Sequence, residues 1–267
     1  MLRRLKWIAI TFVYLSLISC SSVTEQADRA PSSPPDVSKI PNAIPKDAPP
    51  SKYGNPTSYS VLGKRYYTLS SSQGYQQKGI ASWYGAKFHG RRTSSGEKYD
   101  MYAMTAAHKA LPLPSYVEVT NLNNGRKVIV KVNDRGPFHD NRLIDLSYTA
   151  AKKLGIIAHG TGLVEVRVIT GGEMPVNIVT KIQQKPIIDT IATPASMYLQ
   201  VGAFSTSTNA QQFKTKVQNQ IDDQVIITSD GILYRVRIGP LATIQDGDSL
   251  TSRLLDLGFN DTHLVVE

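Results

Sequence analysis

The side chains best able to do chemistry in this 267-residue sequence are two carboxylates and an imidazole. Asp134 lies in Val132-Asn-Asp-Arg-Gly-Pro-Phe138, directly after an alternating run in which Val128, Val130 and Val132 share one face. A strand end followed by Gly136 and Pro137 would hold an acid on a rigid support, where it could donate a proton. On the bare residues, a turn cap or a pair with Arg135 explains Asp134 equally well. Glu97, in Thr93-Ser-Ser-Gly-Glu97, reads by itself as a solvated loop carboxylate, and His108 as a hydrogen-bonded structural histidine. The other histidines are His89, His139, His159 and His263, with no pair at helical i, i+4 spacing, and Cys20 is the sole cysteine. That pattern offers no metal site, no disulfide framework and no cofactor site. A Gly-rich phosphate loop and a G-x-S-x-G nucleophile elbow are both lacking. Acid–base chemistry by carboxylates is what remains.

The elements that must position these groups are mostly strands. Candidates are residues 80–84, 102–107, 116–122, 126–133, 142–146 and 163–170, with a tight-turn signal at Asn123-Asn-Gly125. One short helix, residues 147–154, has Ser147 to cap it and Gly155 to end it. Six short strands and one helix in about 90 residues predict a small barrel. Ahead of it, residues 53–75 carry Tyr59, Val61, Tyr66, Tyr67 and Leu69 and a hairpin signal at Gly63, and should pack on the barrel. Residues 195–267 change pattern to strand (197–203), helix (207–220, with Ser207 or Thr208 near its cap), two strands around Ser229-Asp-Gly231, helix (243–257) and a final strand (262–266). That βαββαβ order is the split arrangement of ferredoxin- and RNP-like folds.

The amino-terminal end places Arg3, Arg4 and Lys6 before an apolar run too short to span a bilayer, then Leu17-Ile18-Ser19-Cys20. This is the layout of a secretory signal peptide (1–19), and Leu17–Cys20 resembles the lipobox of bacterial lipoproteins, which implies lipid on Cys20; the alternative is an ordinary signal peptide that happens to contain a Cys. A lipidated Cys20 would leave no thiol for catalysis. Residues 20–51 are polar and proline-rich, which predicts a tether reaching roughly 90 Å at about 3.1 Å per residue. Residues 52–78 form an extension of the barrel domain (79–170), and residues 171–194 a second linker. Net charge is +9, and the three basic residues of the leader leave +6 on the rest. A basic exported chain suits anionic lipid or acidic wall polymer, and export argues against nucleic acid.

Several segments, in register, resemble the rare lipoprotein A family, RlpA. They are Gly79-Ile-Ala-Ser-Trp-Tyr-Gly85, Thr93-Ser-Ser-Gly-Glu97, Ala103-Met-Thr-Ala-Ala-His108, Leu111-Pro-Leu-Pro114, Val132-Asn-Asp-Arg-Gly-Pro-Phe138 and Arg142-Leu-Ile-Asp-Leu-Ser147. Tyr198-Leu-Gln-Val-Gly-Ala-Phe204 and Tyr234-Arg-Val-Arg-Ile-Gly-Pro240 resemble the signature strands of a SPOR domain. The sequence departs from the family's commoner forms at Leu113-Pro114-Ser115 and at His139-Asp140, away from the three proposed catalytic positions.

The resemblance implies a six-stranded double-psi β-barrel followed by a βαββαβ SPOR domain. It implies a lytic transglycosylase that cuts peptidoglycan between MurNAc and GlcNAc, leaves a 1,6-anhydro end and prefers glycan stripped of stem peptides. Asp134 would be the acid/base, Glu97 would orient substrate or stabilise charge, and His108 would hold the acid or a sugar hydroxyl. Trp83, Tyr84 and Arg135 would contact sugar; for Trp83 core packing is an equal alternative. Gln200, Phe204, Tyr234 and Arg235 would meet denuded glycan on the SPOR domain. The anchor would be the outer membrane, because Ser21 rather than Asp follows Cys20, and the working place the division septum, with division-site proteins as possible partners. The competing expectation is a septal lipoprotein that binds glycan without cutting it. An RNA-binding tail is disfavoured by export and by the missing Lys/Arg-Gly-aromatic motif.

Overall fold

The computed structural model describes residues 29–171 and 195–267. The leader, Cys20 and nearly all of the second linker lie outside the described residues. Strands β1 (Ser58–Val61) and β2 (Lys64–Tyr67) form the expected hairpin. Its turn residues Leu62 and Gly63 both have positive φ, 50° and 77°, which matches the right-handed twist of a two-residue hairpin.

Strands β3 (Gln76–Tyr84), β4 (Thr105–His108), β5 (Ser115–Asn121), β6 (Lys127–Asp134), β7 (Arg142–Ser147) and β8 (Thr161–Val168) close into a barrel in the order β3-β7-β4-β6-β5-β8. The β3–β7 and β4–β6 pairs are parallel and the others antiparallel. Val117, Val119, Val128, Val130, Val132, Ile144, Leu146, Val164 and Val166 fill the interior. Helix α1 (Tyr148–Leu154) is capped by Ser147, whose Oγ accepts from Ala150 N, and stops at Gly155 in the left-handed conformation.

The proline-rich segment differs from the expectation of a free tether. From Arg29 onward it lies on the barrel. The N–H of Ile129 donates to Asn42 Oδ1 (3.3 Å), and the carbonyl of Ile129 accepts from Ala43 N (3.0 Å). Ile40 and Ala43 pack against the barrel core, and Lys153 donates to the Ile40 carbonyl. The cause is backbone demand. Strand β4 pairs with β6 only from Lys131 on, so the first half of β6 has an open edge there, and buried backbone groups must find partners. An extended chain supplies them without large side chains.

The second unit comprises β9 (Met197–Phe204), α2 (Ser207–Gln218), β10 (Val225–Ser229), β11 (Tyr234–Leu241), α3 (Ile244–Asp256) and β12 (His263–Val266). Its antiparallel sheet runs β10-β11-β9-β12. Leu199, Val201, Val236 and Ile238 face Val217, Leu250 and Leu254 of the helices. The cap of α2 is Thr206, one residue ahead of the expected position, and α3 begins with a capping box between Thr243 and Asp246. The two units touch where Ile80 and Leu163 meet Met197 and Val266. Asn141 Nδ2 also donates to Asp248 Oδ1 (2.9 Å).

Candidate active site

Asp134 ends β6 just after a register shift. Ala106 lies opposite Val132, whereas Ala107 lies opposite Asp134, so Asn133 is the extra residue of a bulge. Bulges re-aim side chains. Here Asn133 turns inward, 2 % exposed, and Asp134 stays partly exposed. Asp134 Oδ1 accepts from Ser94 N (2.7 Å), Ser94 Oγ (2.7 Å) and Arg135 N (2.8 Å). Among the described residues Oδ2 has no protein donor. One oxygen is braced and the other is unpaired. The backbone then turns at Gly136, whose φ of 134° is strained for any residue with a side chain.

Glu97 sits at the end of a loop closed by Thr93 N to the Glu97 carbonyl (2.8 Å), and Ser95 N ties that loop to the Asn133 carbonyl (3.2 Å). Its Oε2 accepts from Asn133 Nδ2 (2.8 Å) and its Oε1 from Lys131 Nζ. Partial burial pushes the Glu97 pKa up. The hydrogen bonds from Lys131 and Asn133, with the Lys131 charge, outweigh it and leave the carboxyl below its ordinary range. Glu97 is therefore a held anion at neutral pH. Asn133 thus joins the two carboxylate-bearing segments, being the residue before Asp134 and a donor to Glu97.

His108 differs from its expected role. It is 3 % exposed, and its ring makes no hydrogen bond to Asp134. Nδ1 accepts from the backbone N–H of Ala110 (3.1 Å) and Leu111 (3.0 Å). The ring proton is therefore on Nε2, facing Tyr75 Oη at 2.9 Å, which in turn donates to Gln77 Oε1 (2.8 Å). Both ring nitrogens are used, so the imidazole has nothing to offer a sugar. Its link to the site is its carbonyl, which accepts from Arg135 Nη1 (3.1 Å).

Burial, with the charges of Arg135 and Lys109, holds the His108 pKa down at about 3. Between pH 6.5 and about 3 the unfolded chain binds a proton here that the folded one does not, so stability falls as pH falls, by about 1.4 kcal/mol per unit. Urea unfolding at pH 6.5, 5.5 and 4.5 should show this slope in the native protein and a shallower one in His108→Gln. Equal slopes would contradict it.

The three expected sugar contacts are also placed elsewhere. Tyr84 is 8 % exposed, stacked on Tyr99 with ring centroids 4.0 Å apart, because its strand position points into the packed cluster with Met101 and Tyr148. Trp83 packs edge-on against Tyr148 at 6.0 Å, the core alternative. Arg135 spreads its guanidinium over protein acceptors: the carbonyls of Gly54 (2.9 Å), His108 (3.1 Å) and Leu111 (2.6 Å), and Asn55 Oδ1 (3.2 Å). Four of its five N–H donors are thus engaged by the protein, which makes it a brace. Ser94 and Asn133 were within motifs already singled out, but their partners lie about forty residues away in sequence, which local pattern does not reveal.

On the second unit, Gln200 and Arg235 lie on the sheet face away from the helices, and Arg235 pairs with Asp230 (2.6 Å). Phe204 and Tyr234 turn to the helix side, Phe204 against Phe213 at 5.1 Å. The register shift between Val236/Gly202 and Arg237/Gln200 inserts Val201, so Phe204 leaves the face of Gln200, and Tyr234, opposite Phe204 in the ladder, lies on the helix side with it.

The family model described as "Lytic transglycolase", a double-psi β-barrel domain, matches residues 76–168, and that of the SPOR domain matches residues 193–262. Endolytic peptidoglycan transglycosylase RlpA of Pseudomonas aeruginosa is 41 % identical over 269 residues, covering 82 % of this chain and 78 % of the relative. The chain belongs to the RlpA family. The RlpA of Vibrio cholerae, also named an endolytic peptidoglycan transglycosylase, is 51 % identical over 162 residues, 59 % of this chain and 61 % of its own. A solved SPOR domain of P. aeruginosa RlpA is 27 % identical, covering 26 % of this chain and 96 % of its own, at a TM-score of 0.24. The RlpA barrel is thus a double-psi barrel, and its match spans β3 to β8, with Glu97, His108 and Asp134 inside it.

Proposed function

We propose that this RlpA-family chain is an endolytic lytic transglycosylase of peptidoglycan glycan strands, with Asp134 as its single acid/base. The observation that carries the reading is the asymmetric Asp134 carboxyl, with Oδ1 held by three donors and Oδ2 free. Protonated Oδ2 gives its proton to the glycosidic oxygen as the C1–O bond of MurNAc breaks. The 6-hydroxyl of the same sugar then attacks C1, and Oδ2 takes the proton it releases. The strand is cut, a 1,6-anhydro ring forms, and no water is consumed.

A hydrolase would need a second carboxylate to activate water. Both oxygens of Glu97 already accept from Lys131 and Asn133, which disfavours that route. Glu97 instead supplies fixed negative charge for the cation-like sugar at C1. His108 is a positioning residue, setting the carbonyls that hold Arg135. The test is incubation with denuded glycan and mass spectrometry of the fragments. Anhydro ends, lighter by one water than reducing ends, support the reading, and reducing ends overturn it.

The SPOR unit binds denuded glycan through the sheet face carrying Gln200 and Arg235. Gln200 lines a cavity of about 430 Å³ together with Lys64 and Asp140 of the barrel side. Gln200→Ala and Arg235→Ala should each weaken glycan pull-down without lowering the melting temperature. Phe204→Ala should lower the melting temperature, having removed a contact with Phe213. Full binding by both sheet variants would remove that face from the account.

Lipid on Cys20 would anchor the protein, at the outer membrane and enriched at the septum. The nine residues from Cys20 to Arg29 span at most about 30 Å. That keeps the barrel nearer the bilayer than a free 30-residue tether would. The barrel unit accordingly runs from residue 29 to 171, with the second unit from 195.

A further inference from the structure

The barrel match begins at residue 76, yet the site at Asp134 is completed by a stretch that precedes it. Residues 51–55 are fastened at several points. Ser51 N donates to the Leu113 carbonyl (2.8 Å). Asn55 makes a two-way bond with Leu113, Nδ2 to its carbonyl (2.7 Å) and Oδ1 from its N–H (2.8 Å). Gly54, with φ 85°, comes so near the 93–97 loop that an added Cβ would lie 2.7 Å from the Ser94 carbonyl. Its own carbonyl accepts from Arg135 Nε.

Between these fastenings stands Tyr53. Its ring lies across Gly96, where an added Cβ would be 3.2 Å from the ring, in the same loop that carries Ser94 and Glu97. Tyr53 is 55 % exposed, with the Lys52 ammonium 5.4 Å from the ring centroid. An aromatic face fixed by backbone bonds on both sides, left open to solvent over the loop that carries Ser94 and Glu97, loses little freedom on meeting a ligand. Sugar rings present apolar C–H faces that such a ring can cover.

We propose that Tyr53 forms the wall of a sugar subsite next to Asp134, and that Asn55 is the positioning residue that locks this wall and Arg135 to the barrel. The inference rests on the glycan-cleaving reading above and adds a substrate contact from outside the barrel motif. In the full chain, Tyr53→Ala should raise KM for denuded glycan about tenfold, the equivalent of about 1.4 kcal/mol, with kcat and melting temperature little changed. Tyr53→Phe and Tyr53→Trp should restore KM. An unchanged KM in Tyr53→Ala, or a Phe variant as impaired as the Ala variant, overturns the proposal.

A readout independent of turnover separates this failure from failure of the catalytic reading. In Asp134→Asn carrying Tyr53→Trp, the new indole should change emission saturably as denuded glycan is added. Asp134→Asn alone should give no comparable change. Absence of any signal from the introduced indole at saturating glycan overturns the subsite even if cleavage is confirmed.

Discussion

Asp134→Asn lowers release of anhydro-ended fragments by about 10³-fold, the scale expected when a general acid and base are both lost. The asparagine side-chain oxygen can still accept from Ser94 N, Ser94 Oγ and Arg135 N, so the strand end keeps its support. The amide nitrogen that replaces Oδ2 can neither deliver the proton to the leaving oxygen nor take one from the 6-hydroxyl. Fold and chemistry are thereby separated: the melting temperature should stay within about 2 °C, as for a substitution that leaves no buried group unpaired. Glycan binding by residues 195–267 should also persist. Retention of more than roughly a tenth of the activity would show that another group does the proton transfer.

Arg135→Met has the largest expected effect on stability. The guanidinium serves the carbonyls of Gly54, His108 and Leu111 and the side chain of Asn55, and it joins the amino-terminal arm, the loop after β4 and the end of β6. Methionine fills the volume but leaves those acceptors without their donor, costing about 3 kcal/mol by analogy with other charge-assisted bonds. For a domain of this size that is about 10 °C in melting temperature. Arg135→Lys should recover only part of it, because one ammonium cannot reproduce a planar fork. Activity should fall in both variants, since the Arg135 N–H and Ser94 brace Asp134 from the same region. A Met variant that melts within about 2 °C of the native protein would contradict the bracing role.

Much of this was legible in the residues. The alternation of Val128, Val130 and Val132, the cap at Ser147 and the turn at Gly63 are local signals, and each element forms where its signal stands. Asp134 was marked by its place between a strand and Gly136. What escaped was non-local. The proline-rich stretch joined the barrel because β6 has an edge that β4 leaves uncovered, a fact of sheet order rather than composition. Arg135 was expected from the resemblance to contact sugar, whereas here backbone carbonyls from distant segments converge on it. Which of Gln200, Phe204, Tyr234 and Arg235 face away from the helices was not legible, because one bulged residue, Val201, turns Phe204 off the face of Gln200, and Tyr234 lies opposite Phe204 in the ladder. Tyr53 had no local signal at all, because its neighbour Gly96 lies forty-three residues on.

The central claim is that the 6-hydroxyl of the sugar, not water, closes the reaction on a single carboxyl. Cleavage of denuded glycan in oxygen-18-enriched water tests it most directly, with the products weighed at early times. The account predicts new ends that carry no heavy oxygen and lack one water relative to reducing ends. Reducing ends labelled with oxygen-18 would mean that water is the nucleophile, and that Asp134 works with a second base the structure does not assign.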